Sequence, residues 1–308
     1  FLLNPKIAYY IQLSFSKNDL DLENGGLIPQ PIRDAMVYYF FHDNFYAGFG
    51  QSKLPGNRQR VNSSGNMQMP DRSIANNRLT LDRDFGFFGY WKIPLGKPYL
   101  RLKGAVSTGD GRNASDIDEG LAYTLRAEFF PFGAFANNGA YSEGDLEFEP
   151  KPKLAVALGG HFNHKAHRAG GTFGQELTNP NDVRALMADM SFKWKGWSLN
   201  SEYLYKHARV SGQPAVPPLI GQAWLFQAGR MLGKKSELVL RYAGWRPDAQ
   251  VQWRYLAEDE YGLGYNYYIN GHRIKCQGFL GYRSFDQRPS LDAPRNFWQL
   301  TFQVEFGI

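Results

Sequence analysis

The 308-residue sequence predicts an all-β protein, a transmembrane antiparallel β-barrel with about fourteen strands in this chain. Three observations carry this expectation. Apolar and polar residues alternate with period two in segment after segment. The connections between those segments alternate between short and long. Finally, 7 Trp, 18 Tyr and 23 Phe stand beside 33 Gly, a pairing that suits strands and turns better than helices, which favour Ala, Leu and Glu. A mean hydropathy of -0.46 and the lack of any run near the roughly 20 apolar residues of a membrane helix exclude a helical membrane protein.

In chain order, strands are expected at 7–16, 35–42, 45–52, 83–93, 98–107, 120–130, 153–163, 184–195, 197–207, 221–232, 236–245, 258–269, 272–285 and 296–308. The last is the clearest. Trp298, Leu300, Phe302, Val304, Phe306 and Ile308 alternate with Gln299, Thr301, Gln303, Glu305 and Gly307, so the first set is expected to face lipid and the second the lumen. Leu121, Tyr123, Leu125 and Phe129 alternate in the same way with Ala122, Thr124, Arg126 and Glu128. Trp197, Leu199, Tyr203 and Tyr205 alternate with Asn200, Glu202 and Lys206. An open meander of this many strands would leave edges prone to aggregation; closing it removes them, and lipid then takes the apolar face.

Short connections at His42-Asp43-Asn44, 95–97, Gly196, 233–235 and Asn270-Gly271 alternate with long ones at 17–34, 53–82, 108–119, 164–183, 208–220, 246–257 and 286–295, as tight turns at one rim and long loops at the other would require. The stretch 131–152 departs from this. It falls on the short-turn side yet carries Glu143, Asp145, Glu147 and Glu149, and is expected to be an acidic periplasmic loop of the single barrel domain 1–308. Phe1-Leu2-Leu3-Asn4 is no signal peptide, and because 7–16 looks like a central strand, two strands are expected to precede it, for sixteen in the complete protein.

The run from Asp34-Ala35-Met36-Val37-Tyr38-Tyr39-Phe40 through His42-Asp43-Asn44-Phe45 to Gly48-Phe49-Gly50-Gln51-Ser52-Lys53-Leu54-Pro55-Gly56 resembles the phosphate-selective porin (O and P) family. Further landmarks follow in that family's order: Arg78 to Asp84-Phe85-Gly86, Phe129-Phe130-Pro131-Phe132-Gly133, Glu143-Gly144-Asp145-Leu146-Glu147 and Arg168-Ala169-Gly170-Gly171. The resemblance implies a bacterial outer-membrane, multi-pass barrel of sixteen strands, commonly a homotrimer, whose inward-folded loops carry arginine and lysine, with phosphate among the small anions it passes.

Charge points to the same place. The formal net charge is +6, and the connection from Lys53 to Leu81 alone carries Lys53, Arg58, Arg60, Arg72 and Arg78 against one acid, Asp71. Folded into the lumen, these would form an anion-binding constriction, since the always-charged guanidinium can give paired hydrogen bonds to phosphate or carboxylate. Arg101, Lys103, Arg126, Lys193, Lys206, Arg241, Lys275 and Arg283 fall on the polar parity of their strands and would extend that track, although Glu128, Asp189, Glu202, Glu237, Glu260 and Glu305 share the parity and would pair with some of them.

Other chemistries find little support. His161, His164 and His167 have a ligand-like spacing, but Lys165 and Arg168 beside them in the expected loop 164–183 would repel a cation, so no metal is expected. One cysteine, Cys276, allows no internal disulfide and no thiolate zinc site. No G-x-S-x-G is present, so no catalytic residues, no enzyme activity and no cofactor are expected. The positive charges lack interleaved aromatics, so no nucleic-acid partner is expected either. The expected partners are small anions and outer-membrane lipid. The function read from these residues is passive diffusion of small anionic or polar solutes; the alternative is a weakly conducting barrel serving a larger outer-membrane complex through protein partners.

Overall fold

A computed structural model of the chain describes residues 5–15, 31–114, 120–286 and 296–307. Among these are fourteen strands: β1 (Ile7–Leu13), β2 (Ile32–His42), β3 (Phe45–Lys53), β4 (Arg83–Pro94), β5 (Tyr99–Ser107), β6 (Ala122–Phe130), β7 (Lys153–Arg168), β8 (Glu176–Trp194), β9 (Trp197–His207), β10 (Gly221–Met231), β11 (Ser236–Pro247), β12 (Glu258–Asn270), β13 (Ile274–Phe285) and β14 (Phe297–Phe306). They form one sheet in strict sequence order, each strand antiparallel to the next. No helix is long and apolar enough to cross a membrane. Every expected strand is present. The expectations for the first four residues, for most of 17–34 and 286–295, and for Ile308 lie outside the described residues.

The alternation sets the two faces. In β14, Trp298, Leu300, Phe302, Val304 and Phe306 are exposed while Gln299, Thr301, Gln303 and Glu305 between them are half-buried. The neighbouring register, Leu280 opposite Leu300 and Gln277 opposite Gln303, puts like beside like on each face. In β6, Arg126 and Glu128 are fully buried whereas Leu125 is exposed. Because side chains alternate across a strand, a single register determines which residues are wetted by the lumen and which are not.

Two departures concern edges and lengths. Among the described residues β1 does not pair with β14, so the sheet is not closed. The expected loop 164–183 is mostly strand, because β7 runs to Arg168 and β8 starts at Glu176; His164 and His167 therefore lie on β7 and not in a loop. The extension survives the Pro180 that breaks the alternation because paired backbone, not an apolar stripe, holds it beyond the apolar part of the wall, as with Ala166 opposite Asn181.

What fills the inside is the connection between β3 and β4. Leu54, Ile74, Ala75, Leu79 and Leu81 from it form one buried cluster with Met36, Phe88, Ala105, Met187, Leu204, Leu225 and Trp245, drawn from β2, β4, β5 and β8 to β11. A segment can touch so many strands at once only if the sheet curls around it. The connection contains two short helices, α1 (Arg58–Val61) and α2 (Ile74–Leu79), the latter capped by the Ser73 side chain, which accepts from Asn76 N.

Candidate permeation site

The loop is tied to the inner wall by charge. Arg58, carried on α1, puts its Nε 2.8 Å from Asp189 Oδ1 of β8, and Nη1 donates to the Ala140 carbonyl at 2.8 Å. Arg126 of β6 bridges Glu128 at 2.8 Å and Asp189 at 2.6 and 2.9 Å, and donates to the Gly56 carbonyl at 2.7 Å. Asn57 and the Gln59 amide donate to Glu202 of β9, and Arg78 pairs with Glu258 of β12. Farther round, Lys206 donates to the Thr80 carbonyl at 3.1 Å, Arg241 to that of Asp71 at 2.9 Å, and Lys275 to those of Gly65 and Met67 at 2.8 and 2.7 Å. Buried charges are tolerated only when paired or multiply hydrogen-bonded, and along β6 to β13 these are.

The acidic stretch 131–152 meets this loop from the short-turn end. Glu143 N donates to the Asn66 carbonyl at 2.8 Å, and Glu143 Oε2 accepts from Gln68 N at 2.9 Å. Asp145 accepts from Gly196 N at 2.7 Å and Glu149 from Ala136 N at 2.6 Å. Glu143, Asp145 and Glu149 are thus buried acceptors for backbone amides, and of the four acids only Glu147 is exposed. His272, in the turn before β13, closes the same end: its Nε2 lies 2.8 Å from the Glu143 carbonyl, and burial, then the Lys275 charge, lowers its pKa to about 3.

Along β1 to β4 the arrangement changes. A cavity of about 280 Å³ opens there between wall and loop, lined by Arg33, Lys53, Arg60, Arg72 and Arg83 with Asp34 as its one carboxylate. Arg83 holds Asp34 through two bonds of 3.1 and 2.9 Å, and Arg60 pairs with Asp82 behind the cavity. Among the described residues, Lys53 and Arg72 meet no carboxylate. Lys53 Nζ donates to the Asn62 carbonyl at 3.1 Å, and Arg72 donates to the carbonyls of Gln59 and Asn62 at 2.9 and 3.2 Å. Burial first, and then the charges of Arg72 and Arg83, lower the pKa of Arg60 to about 9.

A family model, phosphate-selective porin O and P, matches residues 2–214. This chain belongs to that family. A comparison with curated proteins finds no match. Solved structures share the fold at low identity. OprB of Pseudomonas putida is 10% identical over 82% of this chain and 68% of its own, with a TM-score of 0.52. OmpT, an outer membrane protein of Vibrio cholerae, is 12% identical over 98% and 84%, with 0.50; its loop L8 deletion mutant is 13% identical over 92% and 82%, with 0.52. The protein is an outer-membrane β-barrel porin, a channel for small solutes.

Of the thirteen cations that the sequence singled out, the porin's fold brings Lys53, Arg60 and Arg72 to this cavity and places the others elsewhere. Arg58 and Arg126 share Asp189, and Arg78 reaches Glu258. Lys103 lies 3.0 Å from Glu128, and Arg101 donates to the Tyr141 hydroxyl at 3.0 Å. Burial, with Glu128 alongside, raises the pKa of that hydroxyl, so it keeps its proton. Of the wall cations, Arg241 and Arg283 pair with Glu260 and Lys275 with Glu305. His161 is buried, its Nδ1 2.9 Å from Thr124 Oγ1, and no group of three metal-ligating side chains occurs among the described residues. Sequence reasoning missed Arg33 and Arg83. Arg83 opens β4 directly after the loop and Arg33 stands at the start of β2, on the other side of β3, and the signal available was a cation at a strand end near the most basic connection.

Proposed function

We propose that this porin prefers anions and that its filter is the β1 to β4 cavity, with Lys53 and Arg72 supplying the uncompensated charge and loop 53–82 acting as the constriction. One observation carries this reading: Lys53 and Arg72 line the cavity and, among the described residues, donate only to backbone carbonyls, while Arg83 and Arg60 beside them hold Asp34 and Asp82. Between low-dielectric walls such charges raise the local anion concentration and replace part of the hydration shell, while weak contacts with several donors permit release. Phosphate fits the same donors through the guanidinium geometry, in keeping with the family's name. Arg58, Arg78 and Arg126 act in this reading as struts that hold the loop, and Trp298, Leu300, Phe302, Val304 and Phe306 as the lipid contact.

The test is the reversal potential of the purified protein in a planar bilayer under a KCl gradient. The native channel is expected to favour chloride, and the double variant Lys53→Gln, Arg72→Gln to shift toward no preference. A cation-selective native channel, or a double variant with native selectivity, overturns the assignment.

A further inference from the structure

A second cavity, of about 370 Å³, lies toward the short-turn end of the same wall, and its lining differs from that of the first. Tyr46 of β3 and Tyr90 of β4 stack face to face, with centroids 4.5 Å apart and planes 14° from parallel. Arg101 and Lys103 of β5 point to the Tyr141 hydroxyl at 3.0 and 2.9 Å. Lys103 is shared with Glu128, but among the described residues Arg101 pairs with no carboxylate; its guanidinium lies over the rings of Tyr99, Phe130 and Tyr141 at 5.4, 5.5 and 5.4 Å. Those rings leave the fork in place while neutralising nothing. Lys92, Arg101 and Lys103 face one lining acid, Asp43.

The two cavities are neighbours along β2 to β4. Tyr38 of β2 packs beside the second: its ring lies across Gly48, where an added Cβ would come within 2.7 Å of it, and it meets the rings of Tyr46 and Tyr90 at centroid distances of 6.0 and 6.3 Å.

We propose that this second cavity is a binding site for small organic anions that carry a flat ring, with Arg101 taking the carboxylate and Tyr46 and Tyr90 the ring. The chemistry separates it from a site for a bare inorganic ion. A hydrated ion gains nothing from tyrosine faces, whereas an aromatic acid buries its ring against them and keeps one charge-assisted pair with a preset guanidinium. The volume falls within the range of small-ligand pockets. Since the anion-channel reading supplies the route to this cavity but not its affinity, binding and conduction are tested separately.

Benzoate, acetate and inorganic phosphate are the probes, titrated onto the detergent-solubilised protein by calorimetry and added to either side of a bilayer carrying chloride current. Benzoate is expected to bind at least tenfold more tightly than acetate or phosphate and to block the current. Arg101→Gln should remove that preference, and Tyr46→Leu should reduce it while leaving the weak binding of acetate unchanged. Lys53→Gln should keep benzoate binding. Equal affinity for benzoate and acetate, or an Arg101→Gln variant with native benzoate binding, overturns the proposal. A protein that binds benzoate without conducting chloride would remove the channel reading and leave this site standing.

Discussion

The two sides of the lumen use the same residue types differently. Along β6 to β13, Arg58, Arg78, Arg126 and Arg241 each reach a carboxylate, and together with Lys206 and Lys275 they lash loop 53–82 to the wall. Along β1 to β4, Lys53 and Arg72 reach only backbone carbonyls, and the space beside them is open. A cation beside an acid is a fastening; in the proposed reading, a cation without one is a field that acts on whatever passes. The composition of the loop does not distinguish the two, because Arg58 and Arg72 have the same chemistry and differ only in what the opposite strand presents.

The largest test of this contrast strikes the fastened side. Asp189→Asn leaves the charges of Arg58 and Arg126 without their shared carboxylate, and breaking a buried pair in this way costs about 3 to 5 kcal/mol. The urea midpoint of the barrel in micelles is expected to fall and single-channel current to become noisier as the loop loosens. An unchanged midpoint would mean that the loop is held by its apolar cluster alone.

The outer face sharpens the comparison by refusing charge altogether. Phe302→Arg is expected to destabilise the folded barrel by about 2 to 4 kcal/mol if that position lies near the bilayer midplane, whereas Gln303→Arg, one residue on but turned inward, should cost less than about 1 kcal/mol. Equal losses at the two positions would reverse the assignment of faces.

Acid should loosen the fastened side at its short-turn end. His272 is held neutral, with a folded pKa near 3, below the usual value of 6.5. A base whose folded pKa is lowered contributes full stability above its unfolded value and loses it as pH falls, here from about 6.5 down to 3, at up to about 1.4 kcal/mol per pH unit. Thermal midpoints measured across that window should decline for the native protein and flatten in His272→Gln. A parallel decline in both would assign the acid sensitivity to other groups.

The smallest stability effect belongs to the open side. Lys53→Gln and Arg72→Gln each remove donors to carbonyls that a glutamine can partly replace, and should change stability by less than about 1 kcal/mol while moving selectivity. A large loss of stability would make these residues fastenings too and erase the distinction.

The sequence by itself determined the wall. Period-two alternation is written into each strand independently of its neighbours, so β14 could be assigned its two faces from Trp298 to Phe306 alone, and all fourteen strands followed. The family was legible for a related reason: its landmarks are contiguous runs such as 34–56. The sequence also marked loop 53–82 as the charged element. What only the tertiary structure decided is which of its cations count. Arg58 and Asp189 are 131 positions apart, and Arg78 and Glu258 are 180 apart. Even the acids of 131–152 turned out to accept from amides such as Gly196 N of a neighbouring turn. Pairings of that kind depend on how far the sheet curls and how deep the loop enters, which no local pattern encodes, and they alone separate the cations that reach a carboxylate from those that reach only backbone carbonyls.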